Sequence, residues 1–157
     1  MDLLARREHG SRELASKLAT RFRKRDCAPD LIATVVEQLI VEGLLSDARY
    51  AASTVRQMAG RGYGPARIKA SLRQSGIEDE LPEGLDSAFD QPVDWASEAA
   101  AAYAKKYRGV PIAGDWDARQ RERAKRLRFL QYRGFDAEVS QRLVSADDTG
   151  DVRNPDS

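Results

Sequence analysis

Basic side chains supply most of the chemistry that this sequence offers. Residues 47–74 carry six cations and one acid, and residues 99–135 carry ten cations and three acids. The guanidinium of arginine can donate two hydrogen bonds at once to a phosphate or a carboxylate. The two basic blocks therefore predict a surface for a polyanion or an acidic protein. The alternative is a solvated helix surface with internal ion pairs, which is what most charge runs are.

The acidic residues are gathered between and after these blocks. Residues 75–98 carry eight acids and no cation, and residues 136–157 carry six acids and two cations, so the net charge of the chain is only +1. Because affinity for nucleic acid depends on phosphate neutralisation, a chain of near-neutral charge is expected to bind DNA weakly without a protein co-receptor.

Side chains suited to catalysis or metal binding are few. His9 is the only histidine and Cys27 the only cysteine. A zinc site, a Cys–His pair and a disulfide framework are therefore not indicated. The alternating Gly60, Gly62 and Gly64 lack the Lys-Ser/Thr and the preceding strand of a phosphate loop. We expect no enzyme activity, metal or cofactor, and we expect His9 to be a surface residue.

A recurring segment indicates how the basic blocks are positioned. Residues 65–77 and 123–135 both run from a basic helix with an apolar stripe into a glycine and a large apolar residue, and a weaker copy begins at Ser11. Such self-similarity predicts one supersecondary unit used several times. Since no alternating strand pattern occurs, the sequence predicts an all-α fold of three tandem three-helix, helix-turn-helix-like repeats in an elongated, curved array.

Helix caps, prolines and glycines suggest the boundaries of these repeats. They are expected to span residues 1–46, 47–90 and 91–146, and an acidic disordered tail is expected at residues 147–157. Pro82 and Gly84 are expected to interrupt the helix that closes the second repeat, and Ser11 is expected to cap a helix in the first.

Apolar stripes at helical spacing predict which side chains face the cores. The helix after Pro29 carries a wide stripe between residues 31 and 40. The helix from Asp115 to Arg133 is expected to bury Trp116, Ala124, Leu127 and Leu130. Phe129 lies off that stripe, which suggests a second contact with a neighbouring unit or a partner.

The cysteine content and the hydropathy bear on localisation. A single cysteine favours a reducing compartment, and no apolar run reaches the 18 residues that a membrane span needs. We expect a cytoplasmic protein that does not associate with membranes, and a monomer.

Four ordered motifs in the chain resemble the RecX regulatory proteins. They are LARREH at residues 4–9, EGLLSDARYA at 42–51, GYGPARI at 62–68 and RFLQYRGF at 128–135. The resemblance covers residues 3 to about 145. It implies a cytoplasmic bacterial modulator of the RecA recombinase, built from three tandem three-helix units. It also implies that the protein lies in the groove of the RecA–single-stranded DNA filament, where it interferes with strand exchange, ATP hydrolysis and the coprotease activity that triggers the SOS response.

The surface that contacts the filament and its DNA is expected to consist of thirteen basic side chains. They are Arg49, Arg56, Arg61, Arg67, Lys69, Arg73, Lys105, Lys106, Arg108, Arg119, Arg126, Arg128 and Arg133. No helix carries an evident set of base-reading side chains, so any DNA contact is expected to involve the backbone with little sequence preference. The alternative function is a stand-alone DNA-binding protein without sequence specificity. A third is a structural adaptor that uses Phe129 and the tail.

Overall fold

The regular secondary structure of the described residues is helical. The computed structural model describes residues 2–77 and 85–148. The α-helices are α1 (Asp2–Arg6), α2 (Ser11–Phe22), α3 (Pro29–Val41), α4 (Asp47–Gly60), α5 (Pro65–Gln74), α6 (Trp95–Tyr107), α7 (Trp116–Arg133) and α8 (Ala137–Ala146). Within the described ranges no strand occurs, and an isolated bridge joins Ile112 to Asp148. The predicted all-α fold is confirmed, whereas Pro82 and Gly84 lie outside the described residues.

Aspartate side chains begin three of these helices, because a carboxylate can accept hydrogen bonds from the unpaired N–H groups of the first turn. Asp94, Asp115 and Asp136 each accept one or two backbone N–H groups two or three residues further on, at 2.8–3.2 Å. The Ser46 hydroxyl accepts the backbone N–H of Arg49 at 3.2 Å in the same way. The start of α7 at Asp115 is the one that the sequence predicted.

The start of α2 differs from the prediction. Gly10 is the cap residue, and Ser11 is the first residue of the helix. The backbone N–H and the hydroxyl of Ser11 donate to the two carboxylate oxygens of Asp47, at 2.6 and 2.7 Å. A carboxylate at the start of α4 therefore also satisfies the start of α2, which joins the EGLLSDARYA motif to the helix that follows the LARREH motif.

The chain divides into two compact units. Unit 1 comprises residues 1–57 and 69–92, and unit 2 comprises residues 58–68 and 93–157. No helix among the described residues is long and apolar enough to cross a membrane. The assignment of residues 1–46, 47–90 and 91–146 to three repeats stays a prediction.

The apolar stripe of α3 in unit 1 is only partly buried. One core cluster is built on Leu14, Val36 and Leu45. Two members of the predicted α3 stripe, Leu31 and Ile40, are 55% and 47% exposed. The stripe is wider than the face that packs on α2, so its two flanks meet water.

His9 is buried rather than exposed, which corrects the prediction from sequence. Its side chain is 2% exposed, and Nε2 lies 3.0 Å from the carbonyl oxygen of Leu3. Nδ1 lies 3.3 Å from the Glu13 carboxylate, without the geometry of a hydrogen bond. The imidazole therefore holds the turn between α1 and α2, a role that needs no metal or substrate.

Unit 2 has an apolar core formed by α6, α7, α8 and the segments that connect them. The buried members are Ala99, Tyr103, Ile112, Leu130, Phe135 and Val144. Phe129 packs partly buried against this cluster, with its ring at 90° to that of Tyr107 and 5.7 Å between centroids. Phe129 therefore packs within its own unit, and its expected second contact with a neighbouring unit or a partner stays a prediction. Trp116 is 70% exposed and Ala124 is also exposed, although both were expected to face the core.

Two glycines bring the start of α5 against the end of α7 within unit 2. The backbone N–H groups of Gly64 and Ala66 donate to the carbonyls of Arg133 and Gly134, at 2.6 and 3.0 Å. A Cβ on Gly64 would lie 2.6 Å from the carbonyl oxygen of Gly134. A Cβ on Gly134 would lie 2.3 Å from the backbone nitrogen of Arg67. Only residues without a side chain permit this approach, and it pairs the orphan donors of one helix with the orphan acceptors of another.

Candidate nucleic-acid interface

A groove rimmed by cations is the most developed candidate site in unit 2. It has a volume of 440 Å³ and lies between the residues that end α4 and one side of α6 and α7. Its cationic side chains are Arg61, Lys105, Lys106 and Arg133, and Glu98 is its one acid. Phe129 and small residues, including Gly60, Gly62, Ala101 and Ala102, line the rest. The groove can therefore admit an anionic group that would be excluded by larger side chains.

The guanidinium of Arg133 is held in a defined position beside this groove. Its central carbon lies 4.9 Å from the ring centroid of Tyr63 and 5.4 Å from that of Phe129. Nη1 donates to the carbonyl oxygen of Arg61 at 2.9 Å. Two cation–π contacts and one hydrogen bond reduce the rotamer freedom that binding would otherwise remove. Arg133 is thus arranged to receive an anion at low entropic cost.

Gly62 allows the chain to turn at this point. Its φ of +80° is a backbone conformation that residues with a side chain rarely adopt. The turn presents the carbonyl of Arg61 to Arg133 and leaves the Arg61 side chain exposed at the rim of the groove.

The outward face of α7 carries a second set of cations. Arg121, Lys125 and Arg128 follow one another at helical spacing and are all exposed. Tyr132 continues the row and is 62% exposed. The guanidinium of Arg67 lies 4.9 Å from the centroid of the Tyr132 ring. The face therefore combines exposed cations with an exposed aromatic ring.

Arg126 does not belong to either surface, which corrects its place among the predicted contact residues. Its side chain is 2% exposed. It donates to Glu122 at 3.0 Å, to Asp147 at 3.0 Å and to the Tyr103 hydroxyl at 2.9 Å. Its guanidinium also lies 4.5 Å from the ring centroid of Tyr107. A cation paired in this way inside unit 2 is a structural element of the core.

The same buried network shifts the pKa values of its members. Burial raises the pKa of Tyr103 to about 12, although the hydrogen bond from Arg126 opposes the rise. Burial disfavours the charged form of Arg126, but its hydrogen bonds to Tyr103 and Glu122 outweigh this effect and raise its pKa. Arg126 therefore stays charged because its partners compensate for the lost solvation.

Arg119 is likewise occupied by an internal partner. It lies 2.8 Å from the carboxylate of Asp148, which also pairs with Arg123 at 2.7 Å. The sequence places Asp147 and Asp148 in a disordered tail, but the structure shows both in ion pairs with side chains of α7. Residues 149–157, the rest of that predicted tail, lie outside the described residues.

The remaining predicted cations lie at the surface, and some of them make hydrogen bonds or ion pairs within the protein. Arg49 pairs with Glu8 at 3.0 Å and donates to the carbonyl of Gly43, and Arg56 donates to the carbonyl of Ala88 at 2.9 Å. Three further cations, Lys69, Arg73 and Arg108, are exposed. Lys69 and Arg73 have no ion pair within the described ranges, so both keep their full donor capacity.

Arg121 and Lys125 of the outward row were absent from the predicted contact set, and so were Tyr132 and Arg123. Tyr132 lies four residues after Arg128 on the same face, so helical spacing could have added it to the row. Arg123 pairs with an acid that is far away in the sequence, and nothing local indicates that pairing. Among the described residues no group of three or more histidine, cysteine or acidic side chains is arranged to hold a metal ion.

The fold and the arranged cations define a class: an all-helical protein with basic surfaces. Residues 46–83 match the family model described as RecX, second three-helix domain. The regulatory protein RecX of Pseudomonas fluorescens is 44% identical over 153 residues, which cover 96% of this chain and 90% of that protein. The RecX of Pseudomonas entomophila strain L48 is 41% identical over 152 residues, with the same coverage.

A solved structure has the same fold. The crystal structure of RecX from Lactobacillus salivarius superposes with a TM-score of 0.64 and 22% sequence identity, covering 92% of this chain and 89% of that one. The chain belongs to the RecX family of regulatory proteins.

Proposed function

We propose that this protein binds the filament of the RecA recombinase on single-stranded DNA and inhibits it. The activities inhibited are strand exchange, ATP hydrolysis and the coprotease activity of the SOS response. Membership of the RecX family supports the regulatory role. The observation that carries the contact surface is the groove of unit 2, in which Arg133 is held between two rings beside Lys105 and Lys106.

The charge distribution supports a composite partner. The exposed cations can neutralise phosphates or carboxylates, yet the whole chain has a net charge of only +1. Long-range attraction to naked DNA is therefore weak, whereas a filament groove offers protein acids and DNA phosphates together. The protein acts by occupying the groove of the RecA filament as a cytoplasmic monomer, without a catalytic step, a metal or a cofactor.

The first test is RecA ATP hydrolysis on single-stranded DNA while this protein is titrated. Inhibition well below one copy per RecA monomer is expected for a regulator that acts on the filament. Absence of inhibition at equimolar protein, with DNA binding intact, would reject this function and favour a stand-alone DNA-binding protein.

Charge reversal tests the contact surface within that assay. We expect Lys105→Glu with Lys106→Glu, and separately Lys69→Glu with Arg73→Glu, to weaken inhibition at least tenfold, because each removes two exposed cations and adds two repelling charges. The matched control is Arg21→Glu with Arg25→Glu. It makes the same change in net charge at two exposed residues outside both basic blocks.

The control separates a local effect from a general one. Equal loss of inhibition in all three double variants would mean that net charge alone matters, and the assigned surface would be discarded. Full inhibition by the folded Lys105/Lys106 variant would discard the groove as part of that surface. Circular dichroism establishes that each variant is folded.

A further inference from the structure

The outward face of α7 ends in an aromatic ring that the core of unit 2 does not use. We propose that this face binds single-stranded DNA, with the phosphates on Arg121, Lys125 and Arg128 and one base stacked on Tyr132. Arg67 holds the Tyr132 ring from the neighbouring helix. We call these five residues the α7 outer face.

The cations of the α7 outer face are spaced to follow a backbone. Arg121, Lys125 and Arg128 are separated by four and three residues, so they project from the same side of the helix. From Arg121 to Tyr132 the helix rises about 16 Å, which is enough for a few nucleotides. Arg121 and Arg128 have no ion pair within the described ranges. Lys125 has a long one, 3.4 Å to Glu122, so all three remain able to bind phosphate.

Tyr132 has the properties of a stacking platform. Its side chain is 62% exposed, and it lies outside the buried cluster of its unit. The guanidinium of Arg67, 4.9 Å from the ring centroid, restrains the ring without covering most of it. An aromatic side chain of this kind can stack on any base, because every base has a π-face.

Nucleic acid suits this face better than an acidic protein does. Carboxylates of a protein would pair with the cations and leave the tyrosine ring without a partner. A nucleotide instead offers a phosphate and a flat base within one residue, and the base can stack on tyrosine while Arg67 contributes a cation–π contact. Stacking also adds no sequence preference, in keeping with the absence of an evident base-reading set.

In the proposed function, the DNA bound by this face is the single strand inside the RecA filament, so the biological role of the site rests on that function. Binding to a free oligonucleotide does not depend on it, and the two can therefore fail separately. The matched comparison is between a base-bearing and an abasic strand, because only the former offers anything to stack.

The experiment measures fluorescence anisotropy of a labelled oligothymidylate of about 16 nucleotides, a length within the site sizes of single-strand binders. The full chain is titrated at about 50 mM salt, where electrostatic binding is strong. We expect Tyr132→Leu to weaken binding about 5- to 100-fold. On an abasic strand of equal length, Tyr132→Leu should bind like the unmodified protein. Tyr132→Phe should retain binding to both strands.

Arg128→Gln supplies a second measurement that stacking does not affect. It should weaken binding to both strands and lower the slope of log affinity against log salt by about 0.7, the contribution of one phosphate contact on a single strand. An unchanged salt slope for Arg128→Gln would overturn the assignment of this cation to a phosphate.

Unchanged binding by the Tyr132 variant would overturn the stacking site. If Tyr132→Leu binds both strands as the unmodified protein does, no base stacks on Tyr132. If it also weakens RecA inhibition, the ring contacts the recombinase itself, and the proposed function survives without the DNA site. A confirmed stacking site in a protein that fails to inhibit RecA would instead reject the proposed function alone.

Discussion

Arg126 and Arg128 lie two residues apart on α7, and the structure gives them opposite roles. Arg126 is 2% exposed and bonded to Glu122, Asp147 and the Tyr103 hydroxyl, whereas Arg128 is exposed. Replacing each with methionine keeps an unbranched aliphatic stem and removes the charged guanidinium. We expect Arg126→Met to lower stability and Arg128→Met to lower binding to DNA.

The magnitude for Arg126→Met follows from its partners. Breaking a buried ion pair by removing one member costs about 3–5 kcal/mol, because the other member loses its compensation. The carboxylates of Asp147 and Glu122 remain 28% and 31% exposed, so water can partly replace the guanidinium. The lower end of the range, about 3 kcal/mol, is therefore appropriate. For a chain of this length that corresponds to a fall in Tm of about 6–12 °C.

The assay is urea and thermal unfolding followed by circular dichroism, with RecA inhibition measured at a temperature where both variants are folded. Arg128→Met, an exposed substitution, should stay within about 0.5 kcal/mol of the unmodified protein. Arg126→Met should inhibit RecA normally once folded. If Arg126→Met were fully stable and failed to inhibit RecA, the buried network would be refuted and Arg126 restored to the contact surface.

The other predictions concern one carboxylate and two glycines. Partial burial favours a raised pKa for Glu13, but hydrogen bonds from Lys17 and Arg7 outweigh it and lower the pKa to about 2. Its contribution to the free energy of unfolding, at most about 3 kcal/mol, is present above pH 4.5 and is lost as the pH falls towards 2. In Glu13→Gln the midpoint of urea unfolding should therefore change less with pH across that window than in the unmodified protein. An equally steep fall in Glu13→Gln would assign the acid sensitivity to other groups. Gly134→Ala places a Cβ 2.3 Å from a backbone nitrogen of α5 and should cost about 3 kcal/mol or more by thermal unfolding. Gly109→Ala, at a similar positive φ in open space, should cost only about 1 kcal/mol, and equal losses would contradict the close approach.

Local chemistry is the part of this structure that the sequence predicts well. An aspartate before an amphipathic segment needs only the next three N–H groups to act as a cap, so Asp94, Asp115 and Asp136 could be assigned without knowledge of the fold. The row of Arg121 and Arg128 follows from helical geometry in the same way. Both kinds of inference depend on neighbours within one turn.

Burial is harder to predict, because it depends on how far a neighbouring element extends. Trp116 lies on the same side of α7 as Leu130, but it is the first residue of the helix and is 70% exposed. The periodicity of a sequence indicates which side of a helix a residue lies on, but it does not indicate how far along the helix a neighbouring element packs. His9 and Arg126 show the reverse error, since polar type suggested the surface while distant partners, Leu3 and Asp147 among them, satisfy each group inside.

The close approach of Gly64 and Gly134 connects the two candidate surfaces of unit 2. Gly134 directly follows Arg133, which lies beside the groove, and Gly64 lies three residues before Arg67, which holds the Tyr132 ring. Because the backbone hydrogen bonds at this approach set the distance between α5 and α7, they also set the position of both guanidinium groups. The motifs GYGPARI and RFLQYRGF are therefore two halves of one structural element, which explains why glycine is required in each. A change that separates the two helices should disturb the groove and the α7 outer face together, whereas a substitution at Tyr132 or Lys105 should disturb only one of them.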